Sequence, residues 1–148
     1  MTAVAAVEPV PVFVGGRWST TASQRSVEVF NPSTGQPIAR TPLASSAEAA
    51  AAVEAAREAG RQWSETPAVD RARVLFRYRE LLSAHFEELA ALVTREHGKT
   101  LAEARAEVQR GVEMVEFACG IPSLLMGDTL PNIAAGGDAE TNRHPVGV

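Results

Sequence analysis

Thr100-Leu-Ala-Glu-Ala-Arg-Ala-Glu-Val-Gln-Arg-Gly-Val-Glu-Met-Val-Glu-Phe-Ala-Cys119 is written as an amphipathic helix. Thr100 and Glu103 have the spacing of a capping box, in which the threonine oxygen takes an orphan amide and the glutamate reaches back. Leu101, Ala104, Val108, Val112, Val115 and Cys119 recur at the helical period and define a buried stripe. Arg110 lies about half a turn away from Leu101 and Cys119. Met114 and Phe117 share its side at i+4 and i+7, and Ala106 at i−4 leaves room beside it. A fixed cation among small and apolar side chains suits a small anion, because guanidinium binds carboxylate through two parallel bonds. The alternative is a solvated arginine paired with Glu107 or Glu113, a common and weak arrangement. The helical wheel alone leans to that alternative.

Upstream the helical pattern continues. Ser45 and Glu48 form another capping box, opening a helix to about Trp63 with Val53, Ala56, Gly60 and Trp63 on one face. A second helix begins near Thr66-Pro67, with Pro67 expected at the first helical position. Val74, Leu75, Tyr78, Leu81 and Leu82 form its apolar stripe. A break near Ser83–His85 precedes a third segment starting at Phe86, which Gly98 is placed to end in a left-handed cap.

Residues 1–44 read as extended. Val10-Pro-Val-Phe-Val14, Gly15-Gly16 and Arg17-Trp18-Ser19 predict a tight hairpin. Ser26–Phe30 alternates as a half-buried strand. Asn31–Gln36 is rich in turn formers, and Pro37–Leu43 reads as a return strand at a sheet edge. Beyond the long helix, Gly120 and Pro122 weaken it, residues 127–138 read as a surface loop, and the last ten residues look extended.

The 148 residues are long enough for one domain. Fourteen basic against 18 acidic residues, net −4, offer no electrostatic case for nucleic acid or anionic membrane. No apolar run approaches the roughly 18 residues that span a bilayer. The opening residues lack a basic region and contain Glu8 and two prolines, so residues 1–10 read as a flexible arm on a cytoplasmic protein.

The remaining reactive side chains read as structural or solvated. Cys119 is the only thiol; it falls on the buried stripe with no histidine within a turn, and reads as a small core residue. His85, His97 and His144 lack metal-ligand spacing. Arg71, Arg73, Arg77 and Arg79 spread around their helix among Asp70 and Glu80, as a solvated surface does. Gly98-Lys99-Thr100 has neither the upstream glycine nor the preceding strand of a phosphate loop.

Four segments taken together resemble the N-terminal region of the aldehyde dehydrogenase superfamily: Phe13-Val-Gly-Gly-Arg-Trp18, Asn31-Pro-Ser-Thr-Gly35, Arg71-Ala-Arg-Val-Leu75 and Glu96-His-Gly-Lys-Thr100. They stand in the family's order and spacing. Arg143-His-Pro-Val-Gly-Val148 is similar to the entry into its dinucleotide-binding sheet. Arg110–Leu130 resembles the methylmalonate-semialdehyde (malonate-semialdehyde) dehydrogenases, the CoA-acylating branch.

The resemblance implies an α/β parent enzyme. This chain would supply a small β-hairpin region, several α-helices and a final extended strand. Residues 11–148 would form part of the N-terminal, cofactor-binding domain, truncated before the dinucleotide-binding sheet and the catalytic domain. The family chemistry is covalent: a cysteine thiolate attacks the aldehyde, hydride passes to NAD, and the acyl group passes to coenzyme A with loss of carbon dioxide. The nucleophile would lie beyond residue 148, and Cys119 is not it. This chain would therefore hold no catalytic residue, no cofactor-binding residue and no metal ligand, would be inactive alone, and would bind neither NAD nor coenzyme A well.

The resemblance also matches Ala106 and Arg110 to the family's tunnel-facing positions, which would make them substrate-binding residues, with Arg110 on the semialdehyde carboxylate. That tips the balance for Arg110 toward the anion-binding reading. The full-length enzyme would act on a small semialdehyde as a homo-oligomer, without nucleic-acid or membrane partners. Two other readings are a fragment of another branch, such as succinate-semialdehyde dehydrogenase, and a non-catalytic helical interaction module.

Overall fold

A computed structural model describes residues 9–148. The expected flexible arm falls almost wholly on residues 1–8, outside the described residues. Its last two positions follow a neighbouring strand: Pro9 bridges to Arg40, and the Val10 amide donates to the Arg40 carbonyl at 2.9 Å.

The described residues form two antiparallel hairpins, then five helices, then a third antiparallel hairpin. In the first hairpin, β1 (Val12–Val14) pairs with β2 (Arg17–Ser19). Gly15 and Gly16 carry φ of 59° and 77°, the two positive angles that a two-residue turn demands. Phe13 and Trp18 meet across this pair with ring centroids 4.9 Å apart and their planes tilted by 52°. In the second, β3 (Ser26–Asn31) pairs with β4 (Gln36–Pro42), with a register shift between Val29 and Phe30. Both prolines of β4 lie in this two-stranded sheet, where each strand has a free edge.

The helices begin where the caps predict. α1 (Ser46–Glu65) and α4 (Leu101–Ala118) both start on complete capping boxes, at Ser45/Glu48 and Thr100/Glu103. α2 (Ala68–Ala84) breaks at His85, and α3 (Phe86–His97) ends on Gly98 in the left-handed region, φ 78°. Pro67 is the N-cap of α2 rather than its first helical residue: its ψ of 141° is extended, and its carbonyl accepts from the Asp70 and Arg71 amides. α5 (Ile121–Leu124) is a single turn with Pro122 near its start.

Packing is concentrated where α4 lies against α2 and α3. Among the described residues, Ala72, Ala90, Ala104, Val112 and Cys119 are buried, and Cys119 is a core residue as its stripe implied. Leu101, at the start of that stripe, stays partly exposed. Two cross-helix ion pairs tie the bundle: Arg79 to Glu116 at 2.6 Å and Arg105 to Glu87 at 2.8 Å. α1 buries no residue, and its expected apolar face is open, with Val53 and Trp63 exposed.

The α2 stripe divides. Ala72 is buried and Leu75 and Leu82 are half-buried, while Val74, Tyr78 and Leu81 are exposed. The wheel marks both rows as apolar and cannot say which has a partner.

One expectation fails toward the end of the chain. Residues 127–138 do not form a loop: β5 (Thr129–Ala134) and β6 (Gly137–Glu140) make a third hairpin, turning at Gly136 with φ 77°. Pro131 and Asn132 (φ 56°) sit in an irregular stretch between the paired ends, which is why composition alone suggested a loop. The final extended strand is present as β6, and residues 141–148 beyond it pair with no other strand.

Candidate functional site

Arg110 stands on the outer face of α4, away from the buried stripe of Ala104, Val112 and Cys119. The face assigned from periodicity is therefore the face it occupies. Met114 and Phe117, on the same side, are each 66% exposed. Ala106 and Arg110 line one concavity of about 420 Å3 together with Lys99, Glu103 and Glu107. A larger hollow, about 620 Å3, runs along α1 beside Gly60 and Trp63, but none of its lining residues is ionisable. It has apolar wall and no chemistry.

The junction between α3 and α4 positions the site. Gly98 stops α3, Lys99 follows, and Thr100 caps α4. A Cβ on Gly98 would lie 2.6 Å from Ser33 Oγ and 2.8 Å from Pro32 Cγ. Ser33 Oγ donates to the Gly98 carbonyl at 2.8 Å, and Asn31 Oδ1 accepts from the Ser33 amide at 2.9 Å. Two of the recognised segments, Asn31–Gly35 and Glu96–Thr100, are thus one contact in space. Glycine is required there both for its positive φ and for the close approach.

The carboxylates around Arg110 are engaged elsewhere. Glu103 accepts from the Thr100 amide at 3.0 Å and from Thr100 Oγ1 at 2.8 Å. Those bonds, the side-chain one foremost, hold its carboxyl below the usual carboxylate range. Glu107 is paired with Lys99, whose hydrogen bond and charge lower its pKa; Arg110 contributes least to that shift. Glu113 accepts from Gln109 at 3.2 Å. The alternative pairing of Arg110 with Glu107 or Glu113 is absent, and its guanidinium has no ion pair or hydrogen bond among the described residues.

The other candidates fall into the surface. Arg73 pairs with Asp70, Arg79 bridges to α4, and His85 Nδ1 sits 2.9 Å from Glu88 Oε2. The described sheets are two-stranded antiparallel hairpins, and Gly98 follows a helix and is packed against Ser33. On this face of α4 the guanidinium of Arg110 is exposed beside Ala106.

The profile of the aldehyde dehydrogenase family matches residues 18–148. The chain belongs to the aldehyde dehydrogenase family. Among its relatives, "Malonate-semialdehyde dehydrogenase 2" of Geobacillus thermodenitrificans is 52% identical over 136 residues, which is 92% of this chain and 28% of the relative. A putative methylmalonate-semialdehyde dehydrogenase from Sinorhizobium meliloti, solved in complex with NAD, superposes with a TM-score of 0.84 at 39% identity over 91% of this chain and 28% of its own. A succinate-semialdehyde dehydrogenase from Burkholderia pseudomallei gives a TM-score of 0.76 at 38% identity over 83% of this chain and 26% of its own. The chain thus spans less than a third of the length of these relatives. The aldehyde dehydrogenase-like fold expected from the four segments is the observed one.

Proposed function

We propose that these 148 residues are the N-terminal part of an NAD-dependent, CoA-acylating (methyl)malonate-semialdehyde dehydrogenase, and that their part in the reaction is to hold the substrate's free carboxylate. Residues 11–148 would belong to its cofactor-binding domain. The observation that carries this is the guanidinium of Arg110, left without a partner on an open helix face beside the small side chain of Ala106. The names of the relatives point to a substrate with an acid at one end and an aldehyde at the other. A carboxylate clamped at Arg110 fixes the remote end of such a molecule, which orients its aldehyde carbon at low entropic cost. Ala106 leaves the space into which the acid group settles.

Thiolate attack and transfer to NAD and coenzyme A belong, on this proposal, to segments beyond residue 148, so the isolated chain has no dehydrogenase activity. The full-length enzyme would be a cytoplasmic homo-oligomer acting on small semialdehydes. The near-balanced charge is in keeping with a lack of nucleic-acid or membrane partners.

The test is Arg110→Gln in the full-length enzyme, assayed by NADH formation with malonate semialdehyde and with propanal, which has the same carbon number but no acid. Loss of a charge-assisted pair worth about 1.5–3 kcal/mol lowers kcat/KM for the semialdehyde by roughly 10- to 150-fold. Activity with propanal stays within about threefold, because it never used the guanidinium. An equal loss with both aldehydes, or turnover of malonate semialdehyde by the isolated 148 residues, would overturn the proposal. Succinate semialdehyde also carries an acid group, and the Burkholderia likeness keeps it in view; comparing the two semialdehydes on the unaltered enzyme separates the branches.

A further inference from the structure

The concavity beside Arg110 is lined by two cations, Lys99 and Arg110, and two anions, Glu103 and Glu107. Its formal charge cancels, so the attraction for an anion depends on which charges are already spoken for. Glu103 is tied to the cap of α4 through Thr100. Glu107, three residues before Arg110, is the natural intrahelical partner for the guanidinium. It is turned instead toward Lys99, which precedes the cap and reaches along the helix flank to Glu107 Oε2. Only 21% of the Lys99 side chain is exposed, so the lysine is laid down against the protein.

We propose that Lys99 is a positioning residue for this site: by holding Glu107, it leaves the Arg110 guanidinium un-neutralised and free to take the substrate's carboxylate. The inference rests on the reading of Arg110 given above and adds a specificity determinant to it. Without Lys99, Glu107 is released toward Arg110. The intrahelical pair so formed is worth only a few tenths of a kcal/mol. The larger effect is that Glu107, no longer held by Lys99, would compete for Arg110 and face the carboxylate of the incoming semialdehyde, a like-charge contact. Lys99 touches neither the aldehyde carbon nor the acid group on this account. Its removal therefore weakens binding and leaves the chemical step alone.

The experiment measures kcat and KM for malonate semialdehyde and propanal on the full-length enzyme and its Lys99→Met, Glu107→Gln and Lys99→Met/Glu107→Gln variants. Lys99→Met is expected to raise KM for the semialdehyde about fivefold, as loss of a neighbouring charge pair does, with kcat and the propanal parameters unchanged. Glu107→Gln is expected to be close to the unaltered enzyme. The double variant is expected to return KM to within about twofold, since no carboxylate remains to be held. No rise in Lys99→Met, an equal rise with propanal, or a double variant no better than Lys99→Met would overturn the proposal.

Should Lys99→Met fail to fold, Lys99→Arg keeps Glu107 held and must keep the KM; a raised KM there overturns the proposal. Arg110→Gln, measured alongside, separates the two readings. If Arg110→Gln loses the semialdehyde and Lys99→Met does not, only the role of Lys99 falls. If Arg110→Gln is silent, the reading of Arg110 falls first.

Discussion

At the scale of single residues, Gly98 and Arg110 show two kinds of legibility. Gly98 was readable as a helix stop because it follows a periodic run and precedes a new cap, the place where a left-handed residue closes a helix. Its second duty, the close approach of Ser33 from 65 residues away, was not readable, since nothing local marks it. Gly98→Ala is therefore expected to cost about 2 kcal/mol or more in the full-length protein, through the positive φ and the clash with Ser33 together. Urea unfolding measures it, and a loss below about 0.5 kcal/mol would mean that the junction relaxes freely. Arg110 was readable as to face but not as to partner. Periodicity places the side chain opposite Ala104 and Val112, whereas the capture of Glu107 by Lys99 depends on a side chain from outside the helix.

Among the elements, the capping boxes were the surest prediction because they are closed within four residues. They also titrate. Glu48 accepts from the Ser45 amide at 2.7 Å and the Ala22 amide at 2.9 Å, and these bonds hold its carboxyl below the usual range, as the Thr100 bonds do for Glu103. A depressed folded-state pKa gives stabilisation that is fully present above the unfolded value near 4.5 and lost as pH falls through the lowered folded value. Helical ellipticity is thus expected to decline below about pH 4.5 as α1 and α4 fray from their N-termini. The Glu48→Gln/Glu103→Gln variant keeps the reciprocal bond without a titrating group, so its acid loss should be smaller; identical acid profiles would remove the caps as the cause. The third hairpin was missed at this same scale. β5 is exposed throughout, so it lacks the alternation by which a half-buried strand declares itself.

On the scale of the whole molecule, the described residues have little interior. The chain exposes 11402 Å2, roughly 1.5 times what a compact monomer of its mass would show. Trp18, Phe76, Tyr78, Leu81, Met114 and Phe117 are all at least half exposed. Apolar rows could be read from the wheel, but their partners could not, because a partner elsewhere leaves no mark on the row it covers. Such surface favours association. The isolated 148 residues are expected to show concentration-dependent light scattering and to lack a cooperative thermal transition. A dilute monomer melting sharply would contradict that expectation.

The most enclosed position of each packed helix is an alanine: Ala72 on α2, Ala90 on α3 and Ala104 on α4. Glycine is the sole smaller replacement, and it would slacken its helix by about 0.5–1 kcal/mol. Anything larger must wedge the bundle apart, at about 1–3 kcal/mol. The helix that carries Arg110 is thus bounded from both directions, and its height above the helices behind it cannot be tuned in small steps.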